Sequence, residues 1–173
     1  MKGTFPESTV QEVWLEDLMQ QYGSAVLRLC YGYLKDASLA EDAAQETFLK
    51  AWRKRADFPN IQSVRAWLMR IAINVCKDTL RSAWFRHVDR KTDIDDALLV
   101  AHYTLIPQQQ NLIDMVMSLK PKERMVLLLF YYQDASAEEI ATILGISCST
   151  IYYRLKQAQK KLRLKLEKED QDG

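Results

Sequence analysis

The chain has 173 residues, of which 48% are hydrophobic and only five are glycine, and its 24 Lys and Arg face 23 Asp and Glu for a formal net charge of +1. That length holds one ordinary domain or two small ones, and the scarcity of glycine favours helices over many-turned β structure. No apolar run approaches the ~20 residues that span a bilayer, MKGTFPESTVQEVW lacks the apolar centre of a signal peptide, and Cys30, Cys76 and Cys148 have no metal-ligand or disulfide spacing, so a cytoplasmic protein with reduced thiols is expected.

Segment 10 to 35 reads as a helix, with Val13, Trp14, Leu18, Tyr22, Val26 and Leu29 at helical intervals and Gly23 and Gly32 as candidate bends. Ser38 with Glu41 forms a capping-box pattern that would open a second helix running to about Arg55. Its Ala40, Ala44, Phe48 and Ala51 share an inward face, which leaves Asp42, Gln45 and Glu46 together on the outside. Pro59 and Asn60 break the chain, and Ser63 can cap a third helix to about Arg86, with Trp67, Leu68, Ile71, Ala72, Val75 and Leu80 as its buried face.

From about Arg86 to Gln110 the amphipathic period fades, acids cluster and a proline interrupts, which reads as a linker. A second helical unit begins at Leu112, Pro121 suits the first turn of another helix, and MVLLLFYY is apolar nearly all round, as befits a helix at the centre of a small domain. Ser136 and Glu139 form a further capping box. The fold expected is all-α: a helical domain over 1–86, a flexible linker over 87–110 and a second helical domain over 111–173.

AEEIATILGISCSTIYYRLKQ, residues 137–157, has the spacing of a helix-turn-helix. Ile140 and Leu144 share a face of a short helix, and Gly145 sits where a positive φ is needed. Ile146, Ile151 and Leu155 anchor a second helix, while Ala141 is small enough to let the two approach. Ser149, Thr150, Tyr152, Tyr153, Lys156 and Gln157 then face outward, able to reach base edges and phosphates in a major groove. The near-neutral total also hides segregation: Lys50 to Arg86 and Arg154 to Lys168 are strongly basic, whereas acids gather around Glu12–Asp17, Glu41–Glu46 and Asp89–Asp96. Two basic zones suggest two contacts with a polyanion.

In YGYLKDASLAEDAAQETFLKAWRK, SVRAWLMRIAINVCKDTLR and SLKPKERMVLLLFYYQDASAEEIATILGISCSTIYYRLKQAQKKL, the chain resembles the extracytoplasmic-function sigma factors, two-domain bacterial transcription initiation factors. The resemblance spares only the first residues, the linker and the extreme C-terminus. It implies that Asp42, Gln45 and Glu46 grip the clamp helices of the largest subunit of core RNA polymerase, with the flap of the second-largest subunit as a further partner. It places Phe58, Asn60, Ile61, Gln62, Arg70, Asn74, Lys77 and Arg81 at the minus-ten element of promoter DNA. Reading a melted strand needs a pocket for an unstacked base, amides for its edge and cations for its backbone, and that segment contains each kind.

At the minus-thirty-five element the resemblance assigns Tyr152, Tyr153, Lys156 and Gln157 to bases, and Thr150, Arg154, Lys160 and Lys161 to phosphates, with Ser149 beside them. Relatives often carry a basic residue and a serine in place of Tyr152 and Tyr153, and arginine in place of Gln157, so the sequence preference departs from the common pattern. It also implies an anti-sigma factor, membrane-anchored in many relatives, and neither cofactor, metal, catalytic residue nor small-molecule substrate. Two other functions compete. A dimeric repressor would need a ligand pocket and a dimer interface, and an enzyme on nucleic acid would need more than the isolated His87 and His102.

Overall fold

The computed structural model describes residues 7–56, 63–86 and 110–172. Among these every regular element is helical: α1 (Glu7–Leu34), α2 (Ala37–Arg53), α3 (Val64–Arg86), α4 (Gln110–Met117), α5 (Pro121–Leu127), a π-helical turn (Leu128–Tyr132), α6 (Ala137–Leu144) and α7 (Cys148–Asp172). The linker expected over 87–110 lies outside the described residues save for Gln110, as do Phe58, Asn60, Ile61 and Gln62.

Helix α1 runs unbroken through both glycines and ends where Lys35 adopts a φ of 58°. Its successor starts earlier than the Ser38 pattern suggested. Asp36, in extended backbone, is the N-cap of α2, and its carboxylate accepts from the Leu39 amide at 2.8 Å. An aspartate directly after the left-handed Lys35 meets the free amides first, so Ser38 is left inside the first turn. Ala37, Ala40, Ala43, Ala44 and Ala51 are all buried on α2, and that small-residue face lets α1 and α3 approach closely around Phe48. Thr47 is buried as well, its hydroxyl donating to the Ala43 carbonyl at 2.7 Å.

Ser63 caps α3 as expected, accepting from the Ala66 amide at 3.2 Å. Leu80, expected on its buried face, is 40% exposed, because α3 outruns the helices that cover it. Cys30 on α1 and Cys76 on α3 are fully buried, and a hydrogen bond with Cys76, then burial, push the Cys30 thiol far up. Cys148 is only half-buried. A native-state titration with a thiol reagent is therefore expected to consume one cysteine rapidly, and the other two only after unfolding. Rapid reaction of all three in the folded protein would contradict this packing.

In the second half, Pro121 occupies the first turn of α5. The apolar run after it does not stay α-helical. It widens into a π-helical turn, closed by Gln133 N–H to Leu128 O at 3.1 Å, and the turn carries Tyr131 and Tyr132 outward to 55% and 48% exposure. Leu129 remains buried, so this turn resolves a run too apolar for one buried face.

A single core joins the two halves: Met125, Val126, Leu129, Ala135, Ile140, Ile143, Ile151 and Leu155 pack into the same cluster as the buried residues of α1, α2 and α3. Arg124 is 1% exposed at this junction. Its Nε donates to Gly32 O at 2.5 Å and its Nη2 to Tyr33 O at 3.4 Å, while Nη1 serves Met117 O at 2.8 Å and Leu119 O at 2.9 Å. Gly32, Tyr33 and Met117 lie in the last turns of α1 and α4, and Leu119 follows the end of α4. The guanidinium thus sits where two helix dipoles present negative ends of up to ~0.5 charge each, which offsets its burial without a carboxylate. Burial lowers the Arg124 pKa while Tyr33 opposes the shift, and the group stays cationic.

Candidate nucleic-acid interface

The helix-turn-helix is held by three local devices. Ser136 Oγ accepts from the Glu139 amide and Glu139 Oε2 from the Ser136 amide, both at 3.1 Å, so the expected capping box is complete at the start of α6. Gly145 ends α6 at φ 67°, its amide bonded to Ala141 O at 2.8 Å. Ser147 then starts α7, its hydroxyl accepting from the Thr150 amide at 3.3 Å and lying 2.9 Å from the hydroxyls of Ser149 and Thr150. Nothing lies within 4 Å of a Cβ added at Gly145. Gly145→Ala is therefore expected to cost only the left-handed strain, about 1–2 kcal/mol, and Gly145→Asn less, as read by urea unfolding.

Helix α7 separates its side chains into three rows. Ile151, Leu155 and Ala158 are buried, and Leu162 packs beside them. On the far side Ser149, Tyr152, Tyr153, Lys156 and Lys160 form an exposed crest, with the two tyrosines at 57% and 64% exposure. Thr150, Arg154, Gln157 and Lys161 recur at steps of four, three and four, and make a half-buried flank. Gln157 thus lies in the flank row and Lys160 on the crest. The Lys161 ammonium is already engaged: both carboxylate oxygens of Glu123, from α5, lie 2.7 Å from it. The local signal for that pair was absent, since the two residues lie on different helices.

Helix α3 presents a comparable face. Arg70, Asn74, Lys77 and Arg81 are all exposed, and their spacing of four, three and four puts them on one stripe. Asp78 borders it, bonded to Arg81 and 3.6 Å from Lys50 of α2. Asp42 and Gln45 are exposed and Glu46 half-buried on the outer face of α2, with Glu46 loosely paired to Arg53 at 3.6 Å. At the end of α2, Arg55 stacks on Trp52 at 4.4 Å and donates to its carbonyl at 3.0 Å, and Trp14 lies 6.3 Å from the Trp52 ring. Trp67 packs against the core, as its place in the sequence suggested. Among the described residues there is no cluster of three potential metal ligands, and no helix is long and apolar enough to cross a membrane.

An acidic and polar face on α2, exposed basic residues on α3 and α7, and a capped helix-turn-helix are thus present together. Residues 18–86 match Sigma-70 region 2, and residues 109–162 match Sigma-70 region 4. The ECF RNA polymerase sigma factor SigL of Mycobacterium tuberculosis is 32% identical over 166 residues, covering 87% of each chain. The chain belongs to the extracytoplasmic-function sigma factors. A longer relative, a probable RNA polymerase sigma factor RfaY of Xanthomonas campestris, is 27% identical over 151 residues, and this chain spans 38% of its length. The fold of this sigma factor is also that of the Bartonella quintana sigma factor RpoE, solved with the anti-sigma factor NepR, at a TM-score of 0.73 and 22% identity over 88% of this chain and 96% of that one. Sigma factors are transcription initiation factors, and this one directs RNA polymerase to promoters.

Proposed function

We propose that the sigma factor divides its work as the sequence suggested, with residues 1–86 gripping polymerase and the minus-ten element, 87–110 as a strap, and 111–173 on the minus-thirty-five element. The α2 face of Asp42, Gln45 and Glu46 meets the clamp helices of the largest subunit, and the flap of the second-largest subunit takes the C-terminal unit. The α3 stripe of Arg70, Asn74, Lys77 and Arg81, together with Phe58, Asn60, Ile61 and Gln62, holds the opened strand. The observation that carries the reading is the exposed crest of α7, which offers tyrosines, a serine and lysines to a groove while its opposite row is committed to the core.

On that crest Tyr152, Tyr153 and Lys156 are placed for base edges, and Ser149 and Lys160 flank them along the same row. From the adjoining row Thr150 and Arg154 reach phosphates, Gln157 meets base edges from the side, and Lys161 braces α7 against Glu123. The protein acts in the cytoplasm without catalysing a reaction itself. An anti-sigma factor, the kind of partner named for the Bartonella protein, holds it inactive, at the membrane where that factor is anchored.

Lys156→Ala and Lys160→Ala should each weaken promoter binding and reduce the slope of log K against log salt by ~0.9, whereas Lys161→Ala should leave the slope nearly unchanged. Binding of the variants to promoter duplex across a salt series tests this. An unaltered slope for the first two would remove them from the interface.

A further inference from the structure

Helix α7 is held from behind by one strip of α5 and the π-helical turn that follows it. Glu123, Leu127 and Tyr131 succeed one another at intervals of four along that strip. Glu123, whose side chain is only 13% exposed, holds the Lys161 ammonium through both oxygens at 2.7 Å. Leu127 shares a small buried cluster with Leu119 and with Ala158 of α7, which is fully buried. The Tyr131 hydroxyl accepts from Gln159 Nε2 at 2.6 Å. One turn beyond Lys161, Lys165 donates to the hydroxyl of Ser118, just past α4, and that hydroxyl donates to Met115 O at 2.6 Å.

At about 3.6 residues per turn, Gln159 lies about 100° to one side of Ala158 and Lys161 about 60° to the other, so the polar contacts grip α7 on opposite flanks of its buried row. Glu123 and Tyr131 are separated by roughly 12 Å of helix, which is about the width of a helix with its side chains. The strip therefore crosses α7 and reaches round both sides of it. Apolar burial is non-directional, so the row of Ile151, Leu155 and Ala158 by itself leaves α7 some freedom to turn about its axis. At a radius of about 5–6 Å, a turn of about 20° would move a flanking side chain by about 2 Å, more than a hydrogen bond tolerates.

Resting on the function proposed above, we infer that Glu123 and Tyr131 are positioning residues for promoter reading: by gripping Lys161 and Gln159 on opposite flanks they fix the rotation of α7 about its axis, and with it the crest side chains that meet base edges. Neither residue touches DNA in this role. Base edges are read by directional hydrogen bonds, whereas phosphates are met by lysines on flexible stems that follow a small turn of the helix. Loss of the grip therefore lowers discrimination between sequences far more than total affinity. The π-helical turn is part of the device, because it carries Tyr131 out of the core to where Gln159 can reach it.

The test offers the full chain, bound to bacterial core RNA polymerase, a pool of promoter duplexes randomised over the minus-thirty-five element, and sequences those retained. The readout is the enrichment of the parent's preferred element over its single-base mismatches. Tyr131→Phe keeps the ring that packs edge-on against Phe130, 5.0 Å between centroids, and removes only the hydroxyl. It should lower the enrichment about fivefold while the urea midpoint and the salt slope of binding stay at parent values. Adding Gln159→Leu to it should lower the enrichment no further, since the two side chains act as one pair. Glu123→Lys and Lys161→Glu should each lower it about tenfold, and the two together should restore most of it by re-forming the pair in reverse.

Parent-like enrichment by Tyr131→Phe, or by a folded Glu123→Lys, would overturn the inference. So would an equal loss of binding to every sequence with the enrichment ratio kept, which would mark a phosphate contact, or a loss that only follows a fall in the urea midpoint. Should Glu123→Lys fail to fold, Tyr131→Phe decides alone. A parent that enriches no element at all would instead overturn the reading of promoters by α7, and the positioning role with it, whereas a discriminating parent with undiminished variants overturns the positioning role only.

Discussion

Reversing the charge of Asp42 and Glu46 together, by Asp42→Lys with Glu46→Lys, is expected to abolish binding to core RNA polymerase while leaving the fold intact. Both side chains stand on the outer face of α2, opposite its buried alanines. The ion pair they would disturb, Glu46 with Arg53 at 3.6 Å, joins side chains of 39% and 67% exposure and contributes little to stability in water. Across an interface built on these carboxylates, placing like charges together costs several kcal/mol, and every 1.4 kcal/mol is tenfold in affinity. A loss of at least about 100-fold is therefore expected in an equilibrium binding assay, with unchanged circular dichroism and urea midpoint. Retention of polymerase by the doubly reversed protein would defeat the assignment of this face.

The largest effect on stability is expected from Arg124→Ala. The substitution strips four carbonyl oxygens of their donor at a position that is 1% exposed, and opens a cavity between α1, α4 and α5. Leaving a buried acceptor without its donor costs about 1–3 kcal/mol, and several lose theirs at once here, a large part of the 5–15 kcal/mol that folded domains possess. Arg124→Lys should recover only part of this, since one ammonium cannot direct separate donors to Gly32, Tyr33, Met117 and Leu119 as the planar guanidinium does. Urea unfolding followed by circular dichroism measures both variants. A parent-like midpoint for Arg124→Ala would show that the two helix ends are satisfied without it.

What could be read in the sequence was what depends on neighbours in sequence. The Ser136 and Glu139 box, the left-handed Gly145, Pro121 at its first turn and the inward alanines of α2 each follow from spacing over a few residues, and each is found. The stripe of Arg70, Asn74, Lys77 and Arg81 is exposed for the same reason, because a helix repeats its faces every three or four residues.

Features that depend on distant partners were hidden. Arg124 looks like one more surface cation in KPKERMV, and its acceptors Gly32 and Tyr33 lie 92 and 91 positions away. The pairing of Lys161 with Glu123 and the exposure of Leu80 likewise depend on where helices meet or end. The Asp36 cap shows a subtler limit: two valid starts lay two residues apart, and the backbone turn at Lys35 decided between them. Gly32 suggested only a bend, whereas its lack of a side chain also makes room for Leu128 and Met125 of the second half.

Run-off transcription tests the account's central claim most directly: bacterial core RNA polymerase, a library of promoter fragments, and the purified chain present or absent. Transcripts that begin at defined sites, appear only with the chain, and vanish with Asp42→Lys/Glu46→Lys are the predicted result. A folded chain that stimulates no start-site-specific synthesis, and forms a stable homodimer on palindromic duplex instead, would contradict it.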